Sequence, residues 1–216
     1  MLKNSYTIPC YENLPVEQQE LIHKNSRIVD FEARECVFKQ GSFAVNIYII
    51  IKGYCKLTFQ SGEKKRILYI PKHNDLIGKD YLLKGNYPYS MQTLTNTKFL
   101  IIPKAFFNRI CSSNPEYNLK ITQLFESKLI EEMKWMINLN FKNVEGAVAM
   151  FVLKYCNKDY QGIDLSRTEI ADLIGYSRES IIHTLKNFVN ENLLETKGKE
   201  IQIRDVKKII EIIKYS

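Results

Sequence analysis

The sequence predicts an α+β chain: an N-terminal antiparallel β sandwich or roll, one long helix and a C-terminal winged helix-turn-helix. Three observations predict it. Between about residues 30 and 103, short β-branched and aromatic runs are cut by glycines, as strands and turns should be. Residues 115–142 carry a helical pattern longer than one small domain easily covers. The stretch "LSRTEIADLIGYSRESIIHTLKNFVNEN" holds two capped helices joined at a glycine. The expected boundaries are 1–114 for the roll, 115–142 for the long helix and 143–216 for the winged domain.

Taken in order, residues 14–29 read as a first helix, with Pro15 suited to its opening turn. The runs "CVFKQG", "NIYIIIKGYCKLTFQSGEKKRILYIP" and "MQTLTNTKFLIIP" read as short strands, divided at Gly41, Gly53, Ser61-Gly62 and Gly78. Within them "LTFQSGEKKRILYI" reads as a hairpin turning at Ser-Gly. Pro115 opens the long helix, in which Ile121, Phe125, Leu129, Met136 and Leu139 recur at spacings of three, four or seven. At 1.5 Å per residue this helix is about 40 Å long. A self-associating coiled coil is the natural use for it, with Phe125, Leu129, Met136 and Leu139 pairing two copies of the chain as a homodimer. Helices over "EGAVAMFVLKYC", "SRTEIADLIG" and "SRESIIHTLKNFVNEN" follow, then two short strands around Lys197-Gly198-Lys199. A last helix, "DVKKIIEIIKY", has Asp205 as its cap.

The paired helices point to double-stranded DNA. Ser166 caps the first, with Glu169 three residues on as a capping-box partner, and Gly175 gives the turn room for a positive φ. Ser177 caps the second, whose Ile181, Leu185 and Phe188 pack back. The strand pair after it is a wing. In such a motif the start of the second helix enters the major groove. Arg178, Glu179, Ile182 and His183 are then the side chains that meet base edges: arginine pairs with guanine, glutamate accepts from cytosine, and isoleucine meets a thymine methyl. Ser166, Arg167, Thr168, Ser177, Lys186, Lys197 and Lys199 are placed to hold the DNA backbone.

Charge qualifies this reading. The net charge is +7, yet residues 143–216 are charge-balanced and the excess lies in the first two-thirds of the chain. Non-specific DNA binding should therefore be modest, since that binding is mostly counterion release. No apolar run is long enough for a membrane span and the N-terminus lacks an apolar signal segment, so a cytoplasmic protein is expected. Cys10, Cys36, Cys55, Cys111 and Cys156 are scattered, without the close-spaced run of an iron–sulfur site, and read as reduced thiols. The only histidines are His23, His73 and His183, and no catalytic constellation stands out, so neither a metal site nor an enzyme is expected.

At these residues the sequence resembles the cyclic AMP receptor protein / fumarate-nitrate regulator (Crp/Fnr) family of bacterial transcription factors. The resemblance runs along nearly the whole chain and is most specific over "LSRTEIADLIGYSRESIIHTLKNFVNENLLETKGKEIQI". It implies that the positions of Arg178, Glu179 and His183 read bases, although the last is usually arginine. It also implies that the N-terminal part is an antiparallel β-roll, a cyclic-nucleotide-binding-like jelly roll, through "CVFKQGSFAVNIYIIIKGYCKLT", and RNA polymerase as a partner. Over "LIGKDYLLKGNYPYSMQTLTNTKFLII" the family's cyclic AMP binders show Gly-Glu and Arg-Ser; here the pairs are Gly78-Lys79 and Tyr89-Ser90. Cyclic AMP is therefore not expected. Gly78, Lys79, Tyr89 and Ser90 are the candidate effector-pocket residues, and a small anionic effector is the candidate ligand, drawn by Lys79 and Lys84 with Lys64, Lys65, Arg66 and Lys72 shortly before them. Haem, which occurs in the family, would need His23 or His73, and a lone histidine is more often structural. The rival expectation is a ligand-binding or protein-interaction module whose winged helix no longer reads DNA.

Overall fold

The structure is a computed structural model that describes residues 8–79, 85–157, 160, 163 and 165–216. By its internal contacts the chain divides into two units, Met1–Glu63 with Leu68–Leu129, and Lys64–Ile67 with Ile130–Ser216.

Helix α1 (Val16–Asn25) precedes eight strands, all in the first unit except Lys64–Ile67 of β5: β1 (Arg27–Phe31), β2 (Cys36–Phe38), β3 (Asn46–Lys52), β4 (Cys55–Ser61), β5 (Lys64–Tyr69), β6 (Leu76–Ile77), β7 (Ser90–Thr93) and β8 (Thr97–Pro103). They form two four-stranded sheets, ordered β1-β8-β3-β6 and β2-β7-β4-β5. Helix α2 (Lys104–Ser113) follows, then α3 (Pro115–Asn140). The predicted first helix is shorter than its pattern: it stops at Asn25, and Ile28 and Val29 leave it to pair in β1 with Leu100 and Phe99. The run "MQTLTNTKFLIIP" is two strands in different sheets, broken over residues 94–96. Helix α2 had no counterpart in the sequence reading, although Phe106, Phe107, Ile110 and Cys111, all buried, follow helical spacing.

Strands β3 and β8 explain the architecture. Successive side chains of a strand point to opposite faces. Ile47, Ile49, Leu100 and Ile102 face a core shared with α1, α2 and the start of α3, where Ile22, Phe107, Tyr117 and Ile121 are buried. Tyr48, Ile50, Phe99 and Ile101 face a second core between the two sheets, with Phe38, Leu57, Tyr87 and Met91. Both faces are covered, so these strands read as unbroken apolar runs rather than alternating ones. Each such side chain contributes roughly 1.5–3 kcal/mol by leaving water. The space between the sheets holds an aromatic pile: Phe38 stacks on Tyr87 with ring centroids 3.8 Å apart, and Tyr48 meets Phe99 edge-on at 5.8 Å.

The division between the units falls inside α3. Its first half buries Tyr117 and Ile121; its second half buries Glu132, Trp135 and Leu139 in the other unit. There Lys154 donates to Glu132 Oε2 at 2.6 Å and lies 4.5 Å over the Trp135 ring. The sequence pattern had merged two faces of this helix. Of the four residues expected to pair two chains, Leu139 is buried within its own unit and Phe125 is half-buried, while Leu129 and Met136 are exposed. With Ile130, Met133 and Ile137, also exposed, those two make an apolar stripe at i, i+1, i+4, i+7 and i+8.

The second unit continues with α4 (Val144–Tyr155), α5 (Arg167–Ile174), α6 (Arg178–Asn190), the strand pair β9 (Leu194–Lys197) and β10 (Glu200–Ile203), and α7 (Val206–Tyr215). Asn143 caps α4 and Asp205 caps α7 through side-chain oxygens. Among the described residues no helix is long and apolar enough to cross a membrane.

Candidate nucleic-acid interface

Local chemistry sets the α5–turn–α6 geometry. Ser166 Oγ accepts from the Glu169 N–H at 3.2 Å, and Glu169 Oε2 accepts from the Ser166 N–H at 2.8 Å, closing a capping box. At the far end Gly175 takes φ 89°, a left-handed conformation that favours glycine, and its N–H donates to Ala171 O. The Tyr176 hydroxyl then donates to Lys142 O, fastening the turn to the chain that follows α3. Ser177 Oγ accepts from the Ser180 N–H at 3.1 Å and starts α6.

Helix α6 is amphipathic. Ile181, Thr184, Leu185 and Phe188 are buried, whereas Arg178, Glu179, Ile182, His183 and Lys186 are exposed. At 100° per residue those five span about 140° of the helix surface, opposite the packed face. Ile182 keeps 43% of its area in solvent, available to an apolar partner. Asn187, which the sequence reading did not single out, is half-buried and contacts His183.

The expected backbone-contacting residues divide. Thr168, Ser177, Lys186, Lys197 and Lys199 are exposed, and the last two flank Gly198 at the tip of the β9–β10 wing. The Ser166 and Ser177 hydroxyls also serve as helix caps. Arg167 is half-buried: one guanidinium nitrogen donates to Gly198 O at 3.5 Å, another is buried without a partner, and burial holds the group below its ordinary pKa. It ties the start of α5 to the wing.

Among the described residues, the candidate effector residues make contacts within the first unit. Lys79 is 3% exposed, and its ammonium donates to Thr122 Oγ1 on α3 at 3.2 Å. It is a buried side chain, not part of a solvated basic cleft, and burial lowers its pKa, with Cys111 and Cys10 acting in the opposite direction. Gly78 sits at φ 95°, where an added Cβ would come within 2.8 Å of Asn46 O. Tyr89 is half-buried and its ring lies 6.0 Å from that of Phe38; Ser90 Oγ accepts from the Gln40 N–H at 2.9 Å. Lys84 lies outside the described residues. Of the histidines considered for haem, His23 pairs with the Tyr11 hydroxyl and His73 Nδ1 lies 2.7 Å from Ile51 O. Among the described residues no three His, Cys, Asp or Glu side chains gather as a metal site, and all five cysteines are free thiols.

A β-roll and a winged helix-turn-helix in one chain fit a transcription regulator, and comparison with known proteins agrees. Residues 28–114 match the cyclic nucleotide-binding domain family and residues 146–212 the Crp-like helix-turn-helix domain. Over 196 residues the chain is 24% identical to the CRP-like cAMP-activated global transcriptional regulator of Mycobacterium tuberculosis, covering 86% of this chain and 88% of that protein. It is 24% identical over 183 residues to the cAMP-activated global transcriptional regulator CRP of Salmonella typhimurium, covering 80% and 87%. The fold matches that of a crp/fnr-family chain from Eubacterium rectale with a TM-score of 0.79 at 18% identity, covering 98% and 100%. The chain belongs to the Crp/Fnr family of transcription regulators.

Proposed function

We propose that this regulator is a homodimer that reads a two-fold-symmetric DNA site through α6 and does not respond to cyclic AMP. The exposed face of α6 carries the reading: Arg178, Glu179, Ile182 and His183 stand together, opposite the packed side chains. A donor, an acceptor and an apolar group in that arc match the distinct edges of the major groove. Thr168, Lys186, Lys197 and Lys199 flank the arc as phosphate contacts. Half-sites about one helical turn apart would suit a dimer. Selection of bound sequences from random duplex DNA tests this. Wild type should enrich a two-fold-symmetric site, and Glu179→Ala should relax one position in each half. No enrichment at low salt, with or without cell extract, would favour an interaction module that has left DNA.

The exposed stripe Leu129, Ile130, Met133, Met136 and Ile137 supports pairing of two copies through α3. Ile130→Glu with Ile137→Glu should yield monomers in sedimentation, with the fold retained by circular dichroism.

The relatives are named for activation by cyclic AMP. In this chain Lys79 replaces the acid expected for the ribose and bonds to Thr122, and Tyr89 replaces the cation expected for the phosphate. Phe38, Tyr48, Tyr87 and Phe99 pack against one another between the sheets. Calorimetric titration with cyclic AMP should release no binding heat, and DNA affinity should be unchanged by the nucleotide.

A further inference from the structure

Asn187 stands one helical turn beyond His183 on α6, and its Nδ2 lies 3.3 Å from His183 Nε2. An amide nitrogen has only protons to offer, so Nδ2–H donates and Nε2 accepts. A ring nitrogen that accepts carries no proton, and the single proton of a neutral imidazole is then on Nδ1. Asn187 is half-buried, at the border between the exposed arc and the face that packs Thr184 and Phe188, so its amide is held rather than free to sweep. His183 is exposed on the arc.

We infer that Asn187 is a positioning residue that fixes His183 as an Nδ1–H donor toward the major groove, so that His183 requires a base acceptor and excludes cytosine at one position of each half-site. Guanine (N7, O6), adenine (N7) and thymine (O4) all present an acceptor in the major groove, whereas cytosine presents a donor. The inference rests on the reading of α6 as the DNA-contacting helix. With the amide turned over, its oxygen would accept from Nε2–H, and Nδ1 would become an acceptor suited to cytosine's amino group. The selected base therefore reports the orientation of the pair.

The experiment is selection from random duplex DNA with the full chain, comparing wild type, Glu179→Ala, His183→Ala, Asn187→Ala, Asn187→Gln and the His183→Ala/Asn187→Ala pair. One position per half-site should depend on His183 and exclude cytosine. Asn187→Ala should weaken preference at that position alone, by about two- to tenfold, the range one net hydrogen bond supplies. The paired variant should do no more than His183→Ala, and Asn187→Gln should restore part of the preference. Uniform weakening at every position would mark Asn187 as merely structural and overturn the inference. So would cytosine at the His183 position, no position that depends on His183, or an unchanged profile in Asn187→Ala. A wild-type site with a Glu179-dependent position, but no effect of Asn187, would remove this inference alone. No wild-type site would remove the DNA reading and the inference with it.

Discussion

The exposed face of α6 and the segment from Gly78 to Ser90 are the two stretches where family resemblance places contact with an outside molecule, and they use their polar side chains in opposite ways. On α6 the scaffolding is done by other residues: Ser166, Glu169 and Ser177 make the caps, and Arg178, Glu179, Ile182 and His183 stay in solvent. Among the described residues of the sensor segment, polar side chains serve the scaffold. Lys79 holds Thr122, the Tyr87 hydroxyl donates to Asn46 O, and Ser90 accepts from Gln40. A surface that reads a partner keeps its hydrogen-bonding groups out of its own fold. A segment whose groups already serve the fold must give up those bonds to take a ligand, and each buried group left unsatisfied costs roughly 1–3 kcal/mol.

Four measurements can break or sharpen this contrast. The largest effect should come from Phe188→Ala, which empties a site under the reading face and should cost about 3–5 kcal/mol. The single tryptophan, Trp135, lies in the same unit, so its fluorescence should show a lower urea midpoint while near-ultraviolet dichroism from the tyrosine-rich roll persists. Coincident loss of both signals would mean that the two units do not melt separately. Next, Gly78→Ala forces a Cβ against Asn46 O in a left-handed conformation, and should destabilise the roll by more than about 1 kcal/mol in a denaturant melt. Ser166→Ala removes the capping box and should cost about 1 kcal/mol, lowering affinity for every DNA sequence alike in a binding titration. A change confined to one base position would show that Ser166 reads bases instead.

The smallest effect concerns Lys79. Burial holds its ammonium below the ordinary value of 10.5, so as pH rises toward that value the unfolded chain binds more protons than the folded one. Stability of the roll should therefore rise over this alkaline window, and Lys79→Met should flatten the rise in melts taken across it. An equal slope in both proteins would place the ammonium in water and undo the contrast with α6.

The winged helix was legible in the sequence because short-range features define it. Ser166 and Glu169, Gly175, Ser177 and the spacing of Ile181, Leu185 and Phe188 all act within a few residues of one another. What escaped depends on distant partners. Ile28 and Val29 continue a helical pattern until β8, about seventy residues on, offers them a strand to pair with. Periodicity along α3 joined Leu139 to Leu129 and Met136, because spacing alone does not say which of two apolar faces the chain itself covers. Lys79 read as part of a basic surface; its burial against Thr122 is decided by α3. Helix α2 and the Asn187–His183 pair did leave signals, the i, i+3, i+4 recurrence of Phe106, Phe107, Ile110 and Cys111 and an i, i+4 spacing of two polar side chains.

The order of strands in the first sheet also bears on how the molecule is made. In that sheet β1 has one neighbour, β8, and β8 is the last strand of the roll to be synthesised. Until residue 103 has left the ribosome, Arg27–Phe31 has no strand to pair with, and Ile47 and Ile49 lack Ile102 and Leu100 across from them. Closing so long a loop is slow, and the unpaired apolar strands stay open to aggregation meanwhile. The nascent roll should therefore be a client for chaperones over most of its length and become independent of them only late, when β8 completes the core between the sheets and α2 and the start of α3 then close the other.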